Sequence, residues 1–94
     1  MNDRNLKEIE LNNFNIDPRT SQYGKDYFII FNNDRENEAY FCFRGSDNLN
    51  HEDFERFKVK YHTINRIKLT YYETDYQGRT NRKVVGFKLP DNNF

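Results

Sequence analysis

The sequence is poor in the residues that usually cross-link or shape a small protein. Its 94 residues include one cysteine, two prolines, four glycines and no tryptophan. A lone cysteine excludes an internal disulfide, and Cys42 stands between Phe41 and Phe43, which predicts a buried, unreactive thiol. Long apolar runs are also missing, so no stretch predicts a signal peptide or a membrane-spanning helix. We therefore expect a cytoplasmic protein, of a bacterium or an infected host cell, that does not bind membranes.

Net charge is lacking too, because 15 basic residues balance 15 acidic ones. The balance is uneven along the chain. Residues 1–49 hold six Lys or Arg and nine Asp or Glu, a balance of −3, and residues 50–94 hold nine and six, a balance of +3. This distribution excludes a strongly basic nucleic-acid-binding protein, but it allows a local basic patch in the second half.

Aromatic residues and asparagine are what the sequence has in quantity. Nine Phe and seven Tyr outnumber the 14 residues that are Val, Ile or Leu. Each buried ring removes about 150–250 Å² from water, so a few rings can fill a small core while others lie at its boundary. The 14 asparagines are typical of AT-rich coding, which indicates a low-GC bacterium, one of its phages or a mobile element.

Residues 8–16 predict the first strand, because apolar and polar residues alternate there. The alternation changes phase at Asn12–Asn13, and a β-bulge at this point would bring all the apolar residues to one side of the sheet. These residues are Ile9, Leu11, Phe14 and Ile16. Residues 17–24 then predict a loop, since Pro18 restricts the backbone and Gly24 marks the end of the loop.

Two short aromatic runs predict an antiparallel hairpin. Residues 26–32 and 38–44 are rich in Phe, Tyr and Ile, and a polar turn at 33–37 separates them. Large side chains occur on both faces of each run. One face must therefore pack in the core, and the other is either covered by another element or left as an exposed aromatic surface.

Residues 50–62 predict the helix of the domain. Asn50 is a suitable N-cap, and acidic residues in the first turn complement the positive end of the helix dipole. A helical stripe of aromatic and aliphatic residues follows: Phe54, Phe57, Tyr61 and Ile64. Residues 57–63 also alternate as a strand would, which leaves the end of the helix beyond Lys60 open.

Two further strands are predicted at residues 66–74 and 82–89, joined by a loop at 75–81 that turns at Gly78. The side chains expected to face inward are Ile67, Leu69 and Tyr71 in the first strand, and Val85, Phe87 and Leu89 in the second. Pro90 ends the second strand. The ends of the chain, residues 1–7 and 91–94, are expected to be flexible.

The element order is therefore β-β-β-α-β-β in one small, mainly β domain spanning residues 1–94. This α+β composition suits a five-stranded antiparallel sheet with a helix on one face. It suits equally an OB-like barrel, in which one helix joins the third and fourth strands.

The candidate binding surface is basic and aromatic. Interleaved charges and rings are the ingredients of sites that track phosphates and stack bases. We expect this surface to contain Arg56, Lys58, Lys60, Arg66, Lys68, Tyr72, Tyr76, Arg79, Arg82 and Lys83, with Tyr40 as a further stacking candidate. The alternative is that the charges only solvate a helix and a hairpin while the rings belong to the core.

Catalytic, cofactor and metal motifs are weak. On one helix, His51 and His62 would be about 16 Å apart at 1.5 Å per residue, too far to share a metal. The turn Arg44–Asp47 contains one glycine and one serine, a poor signal for a phosphate-binding loop. We expect a non-enzymatic protein without a cofactor or a metal.

The sequence favours a binding protein, and three classes of partner fit it. The first is a host protein, such as one of defence or nucleic-acid processing, blocked by an inhibitor of phage or mobile-element type. Surplus Tyr, Phe and Arg are enriched in such interfaces. The second is single-stranded nucleic acid bound by an OB-like domain. The third is a larger assembly in which the chain is a structural subunit, with hairpin 26–44 as its contact.

Overall fold

The computed structural model describes residues 5–36 and 38–90, together with the backbone but not the side chain of Tyr76. These residues form six strands, one α-helix and one 3₁₀ turn. Their bounds are β1 Lys7–Leu11, β2 Phe14–Thr20, β3 Asp26–Asn32, β4 Ala39–Cys42, α1 His51–Lys60, the 3₁₀ turn Tyr61–Thr63, β5 Ile67–Tyr76 and β6 Arg79–Lys88. The β-rich α+β class is confirmed.

All six strands belong to one sheet in the order β1-β5-β6-β4-β3-β2. Neighbours are antiparallel except β4 and β6, which run parallel and pair through Tyr40 with Arg82 and Phe41 with Lys83. The prediction of five antiparallel strands was wrong in count and direction. The sheet is six-stranded, mixed and open, because the predicted first strand is two strands and because β4 lies beside β6.

The break at Asn12–Asn13 places β1 and β2 at opposite ends of the strand order, where β1 pairs with β5 and β2 with β3. Three Cα steps span at most about 11 Å, so the open sheet curls enough to bring the end of β1 close to the start of β2 at this corner. Asn13 fixes the corner: its carbonyl accepts from the Asn33 backbone N–H at 2.9 Å, and its side-chain amide donates to Asp34 at 3.0 Å.

The four apolar residues around this corner pack as predicted. Leu11 is buried in the core, and three partly buried side chains lie against the same core: Ile9, Phe14 and Ile16. The change from β1 to β2 brings these apolar residues to the core, which is the effect that a bulge was expected to have.

The prediction of a loop over residues 17–24 was wrong in its first half. β2 continues through Pro18, which a strand tolerates at a sheet edge because no neighbour needs its missing N–H. The true turn is Ser21–Lys25, where the Ser21 N–H donates to the Lys25 carbonyl at 2.8 Å and Gly24 has a φ of +77°.

The helix packs its aromatic stripe on the sheet. The Asp53 backbone N–H donates to the Asn50 side chain at 2.8 Å, which confirms the N-cap. Phe54 and Phe57 are fully buried and lie 5.6 and 5.0 Å, centroid to centroid, from the ring of Phe28 on β3. Phe87 meets Phe57 edge-on at 5.5 Å. Rings therefore fill this core, as the composition predicts.

The β5–β6 hairpin is longer than predicted. Its strands continue to a two-residue turn in which Gln77 and Gly78 both have positive φ, the geometry that a tight hairpin prefers. A register shift between Thr70 and Tyr71 changes which β6 residues face inward. Val84 is buried in place of the predicted Val85, while Phe87 and Leu89 are buried as expected.

None of the helices formed by the described residues is long and apolar enough to cross a membrane. Lys7, predicted to be in a flexible segment, begins β1. The rest of the flexibility prediction falls mainly on residues 1–4 and 91–94, which lie outside the described residues.

Candidate binding surface

The β3–β4 hairpin divides its aromatic residues between two faces. Successive side chains of a strand point to opposite sides. Phe28 and Ile30 on β3, with Tyr40 and Cys42 on β4, face the core and are buried. The alternate residues point away from the core: Tyr27, Ile29, Phe31, Ala39, Phe41 and Phe43. The hairpin thus presents a second apolar face that the helix does not cover.

Four rings form this second face, which we call the outer ring face: Tyr27, Phe31, Phe41 and Phe43. Tyr27 and Phe43 lie 5.1 Å apart, and Phe43 stacks on Phe41 at 5.8 Å with only 11° between the ring planes. Phe31 is 37% exposed, the most exposed phenylalanine among the described residues, whereas Ile29 beneath the rings is only 6% exposed. The rings cover Ile29 and leave their own outer surfaces toward solvent.

A cleft of about 670 Å³ opens where β4 and β6 diverge. Ala39 lines this cleft. In the strand register, its small side chain stands opposite the large ring of Phe31. We call it the Ala39 cleft, and the residues that line it are Phe31, Ala39, Phe41, Arg79, Thr80, Asn81 and Arg82.

Positive charge borders both ends of the outer ring face. Lys83 is the direct β6 neighbour of Phe41, and Arg79 lines the Ala39 cleft. Lys25 lines a smaller cleft of about 200 Å³ beside Tyr27 and Phe43. None of these three cations forms an ion pair with another described residue, so their charges are available to a ligand.

No protein-family model, curated protein or solved structure matches this chain. What the outer ring face binds is therefore inferred from its own chemistry.

The basic residues predicted on the helix and β5 are largely matched by acids. Arg56 lies 3.3 Å from Asp53 within the helix, and Lys58 lies 3.5 Å from Asp26 at the start of β3. Arg66 and Lys68 face β1, at 3.3 Å from Glu10 and 3.6 Å from Glu8. Lys60 is exposed and has no ion pair with a described residue. This group is a charge-balanced surface and not a basic groove.

The remaining predicted residues separate into two sets. Tyr72 is only 6% exposed, and its hydroxyl donates to the Asp47 carbonyl at 2.9 Å, so its ring is not a free stacking face. Arg82 lies 3.6 Å from Glu73 and 5.8 Å from the ring centroid of Tyr40. Arg79 and Lys83 do reach the outer ring face. The Tyr76 side chain lies outside the described part of the structure.

None of the four rings of the outer ring face was among the predicted site residues. Its signal was nevertheless present in the sequence, as large residues on both faces of hairpin 26–44. That pattern predicts an exposed aromatic surface, but the choice between a covered and an open face depends on where the helix packs.

A buried polar cluster supports the hairpin behind the Ala39 cleft. The Tyr40 hydroxyl and the Asn32 amide both donate to the Glu38 carboxylate, the amide at 3.0 Å. Burial alone would raise the pKa of Glu38. The two hydrogen bonds and the positive charges of Arg35 and Arg82 outweigh burial and lower that pKa below its ordinary value. Burial and the hydrogen bond to Glu38 raise the pKa of Tyr40.

The other candidate sites offer little chemistry. Cys42 is buried as predicted, and burial raises the pKa of its thiol. In the Arg44–Asp47 turn, the Gly45 N–H already donates to the Leu49 carbonyl, so that amide is not free for a phosphate. The described residues contain no group of three His, Cys, Asp or Glu side chains placed to hold a metal ion.

Proposed function

We propose that this protein is a non-enzymatic, single-stranded nucleic-acid-binding domain that uses the outer ring face. One observation carries the proposal: rings open to solvent lie between cations that have no acidic partner among the described residues. Base stacking on an aromatic side chain contributes about 1–3 kcal/mol per base, and cations beside the rings attract the phosphates that follow. Apolar ring surface left in water lacks the stabilisation that burial gives, and a ligand that covers the rings supplies it.

The dimensions of the surface suit a short stretch of strand. Tyr27 and Phe31 are four residues apart on β3, which places them about 14 Å apart at 3.4 Å per residue. Lys25 lies at the Tyr27 end, Arg79 lies at the Ala39 cleft, and Lys83 lies beside Phe41 between them. We expect a few unstacked bases to lie along the rings, with the backbone held at each end.

The sheet is open, but the connectivity of its strands is similar to that of an OB-fold. A single segment, residues 7–20, pairs with strands at both ends of the sheet. OB-folds are partly open five-stranded barrels that bind oligonucleotides on the face of their second and third strands. If β1 and β2 count as one bent strand, β3 and β4 are the second and third, and they carry the outer ring face.

The experiment is fluorescence polarisation with a labelled oligothymidylate of about 12 nucleotides, within the range that one OB-type fold covers. We expect salt-sensitive binding by the native protein, weakened by about 1–3 kcal/mol in Phe41→Ala. The matched control is Val59→Ala, which truncates an exposed apolar residue of the helix (75% exposed) and should bind normally. Absence of binding at low salt would contradict the proposal.

A protein partner on the same face is the second candidate, in the manner of an inhibitor of phage or mobile-element type. The observation that favours it is the charge balance of the helix and β5, since paired charges give a weak field for phosphates. Tyr, Phe and Arg are also typical anchors of protein interfaces. A complex that forms with a bacterial protein, persists at high salt and is lost in Phe41→Ala would favour this candidate.

A further inference from the structure

We infer that the Ala39 cleft is a slot for one unstacked base and that it prefers adenine. This inference rests on the proposed function and adds a subsite to it. The outer ring face alone provides stacking that any base can use. The cleft differs because it combines the rings of Phe31 and Phe41, the small side chain of Ala39 and a polar edge.

The strand register sets the width of the slot. Phe31 stands opposite Ala39, and Phe41 stands opposite Ile29, so the two phenylalanines are diagonal neighbours on one face. The Cα atoms of diagonal neighbours are about 7–8 Å apart. A planar ring held between two others needs a van der Waals contact of about 3.5–4.0 Å on each side, which side chains that leave these two positions can provide. Ile29 and Ala39 form the other diagonal of the same square, and the small side chain of Ala39 leaves its corner open, whereas a larger side chain would fill it.

The β6 side of the cleft supplies the polar groups. By extension of the β4–β6 register, Asn81 lies beside Ala39, and its side-chain amide makes no hydrogen bond to another described residue. An asparagine amide can donate to adenine N7 and accept from adenine N6, which is the pairing that side chains of this type make. Arg79, two residues earlier, is placed to contact the adjoining phosphate.

The carboxylates near the slot already have partners. Asp75 accepts from the Thr80 hydroxyl at 3.2 Å. Glu73 lies between Lys7, at 2.9 Å, and Arg82, at 3.6 Å. Arg79 itself forms no ion pair with a described residue, so the cleft favours a ligand that carries a phosphate next to a base.

The test compares two labelled oligonucleotides, an all-thymidine strand of about 12 nucleotides and the same strand with one central adenine. We expect the native protein to bind the adenine-containing strand about fivefold more tightly or better, the discrimination that one bidentate contact gives. Asn81→Ala should remove this preference and leave binding of the thymidine strand within about twofold. Ala39→Leu, which fills the slot, should also remove the preference.

The outcomes separate the slot from the proposed function. Equal, salt-dependent binding of both strands by the native protein would overturn the slot and leave the function standing. Binding of neither strand would overturn both. An adenine preference that survives Ala39→Leu would place the selective contact elsewhere and overturn the slot.

A second measurement does not depend on the folding of a variant. Titration of the native protein with adenosine 5′-monophosphate, followed by NMR, should shift the Ala39 methyl and the ring signals of Phe31 and Phe41. Shifts confined to Tyr27 and Phe43 would contradict the slot.

Discussion

Phe28 and Phe31 are the same amino acid three positions apart on β3, and the fold uses them for opposite purposes. Phe28 is 3% exposed and contacts the rings of the helix, whereas Phe31 is 37% exposed beside the Ala39 cleft. Alternation along the strand decides the difference. Each ring therefore has a separate experimental signature, one in stability and one in binding.

We expect Phe28→Ala to lower the free energy of unfolding by about 3–5 kcal/mol, because it leaves a cavity among Phe54, Phe57 and Tyr61. Phe31→Ala should change it by roughly 1 kcal/mol or less, since its ring is already partly in water. Urea denaturation followed by circular dichroism measures both. A large loss of stability in Phe31→Ala would show that the outer ring face belongs to the packing of the domain.

The buried carboxylate of Glu38 leads to a prediction about the stability of the fold at acidic pH. Its pKa is lowered in the folded state, so its contribution to stability is present above the ordinary value of 4.5 and is lost as pH falls through the lower, folded value. Glu38→Gln cannot titrate at this position. We therefore expect the native protein to be more stable than this variant near neutral pH and the difference to shrink below pH 4.5. Thermal melting of both proteins from neutral to acidic pH measures this difference, and a constant gap would refute the assignment.

At the scale of elements, the parts predicted correctly are those whose signals are local. The helix has its cap at Asn50 and its stripe within one segment, and β3 and β4 are adjacent in the chain. Both appear in the structure with nearly the predicted bounds. Local signals also placed Ile9 and Ile16 against the core, although they were assigned to a single strand.

The parts that were wrong depend on partners far away in the sequence. Whether Asn12–Asn13 is a bulge or a change of strand is decided by β5, which lies more than fifty residues later. The parallel β4–β6 pair also joins distant segments. The register shift that buries Val84 lies within the β5–β6 hairpin and is set by how its two strands pair. Composition and periodicity do not indicate which strands pair with each other or in which register.

The candidate site was predicted in part for the same reason. The cations of the helix and β5 are visible in the sequence, but their ion pairs with Glu8, Glu10 and Asp26 arise only when β1 and β3 take their places. Arg79 and Lys83 lack such partners among the described residues, and sequence alone does not distinguish them from the rest.

At the scale of the whole molecule, most cations of the helix and β5 are paired with acids, whereas Arg79 and Lys83 beside the outer ring face are not paired with a described residue, which gives a prediction by charge reversal. Arg79→Glu with Lys83→Glu should greatly weaken oligonucleotide binding and flatten its salt dependence, because phosphate contacts are lost. Lys58→Glu with Lys60→Glu makes the same change in net charge on the helix. We expect that variant to bind nearly as well as the native protein in fluorescence polarisation.

Equal losses in the two double variants would mean that net charge, and not the outer ring face, governs binding. A loss of oligonucleotide binding in the helix variant alone would show that the binding site lies on the helix and β5. Far-UV circular dichroism of both variants checks that the fold is retained.

The corner at Asn12–Asn13 also has a consequence for synthesis on the ribosome. Ile16 pairs with Ile30 only fourteen positions later, but Ile9 must wait for Leu69, sixty positions later. At about 5–20 residues per second, β1 emerges roughly 3–12 s before its partner strand exists. Its alternating charges, among them Glu8 and Glu10, discourage pairing with a neighbouring nascent chain during that interval. The first of these strands to be made thus waits longest for its partner, and its acidic residues protect the chain until β5 arrives.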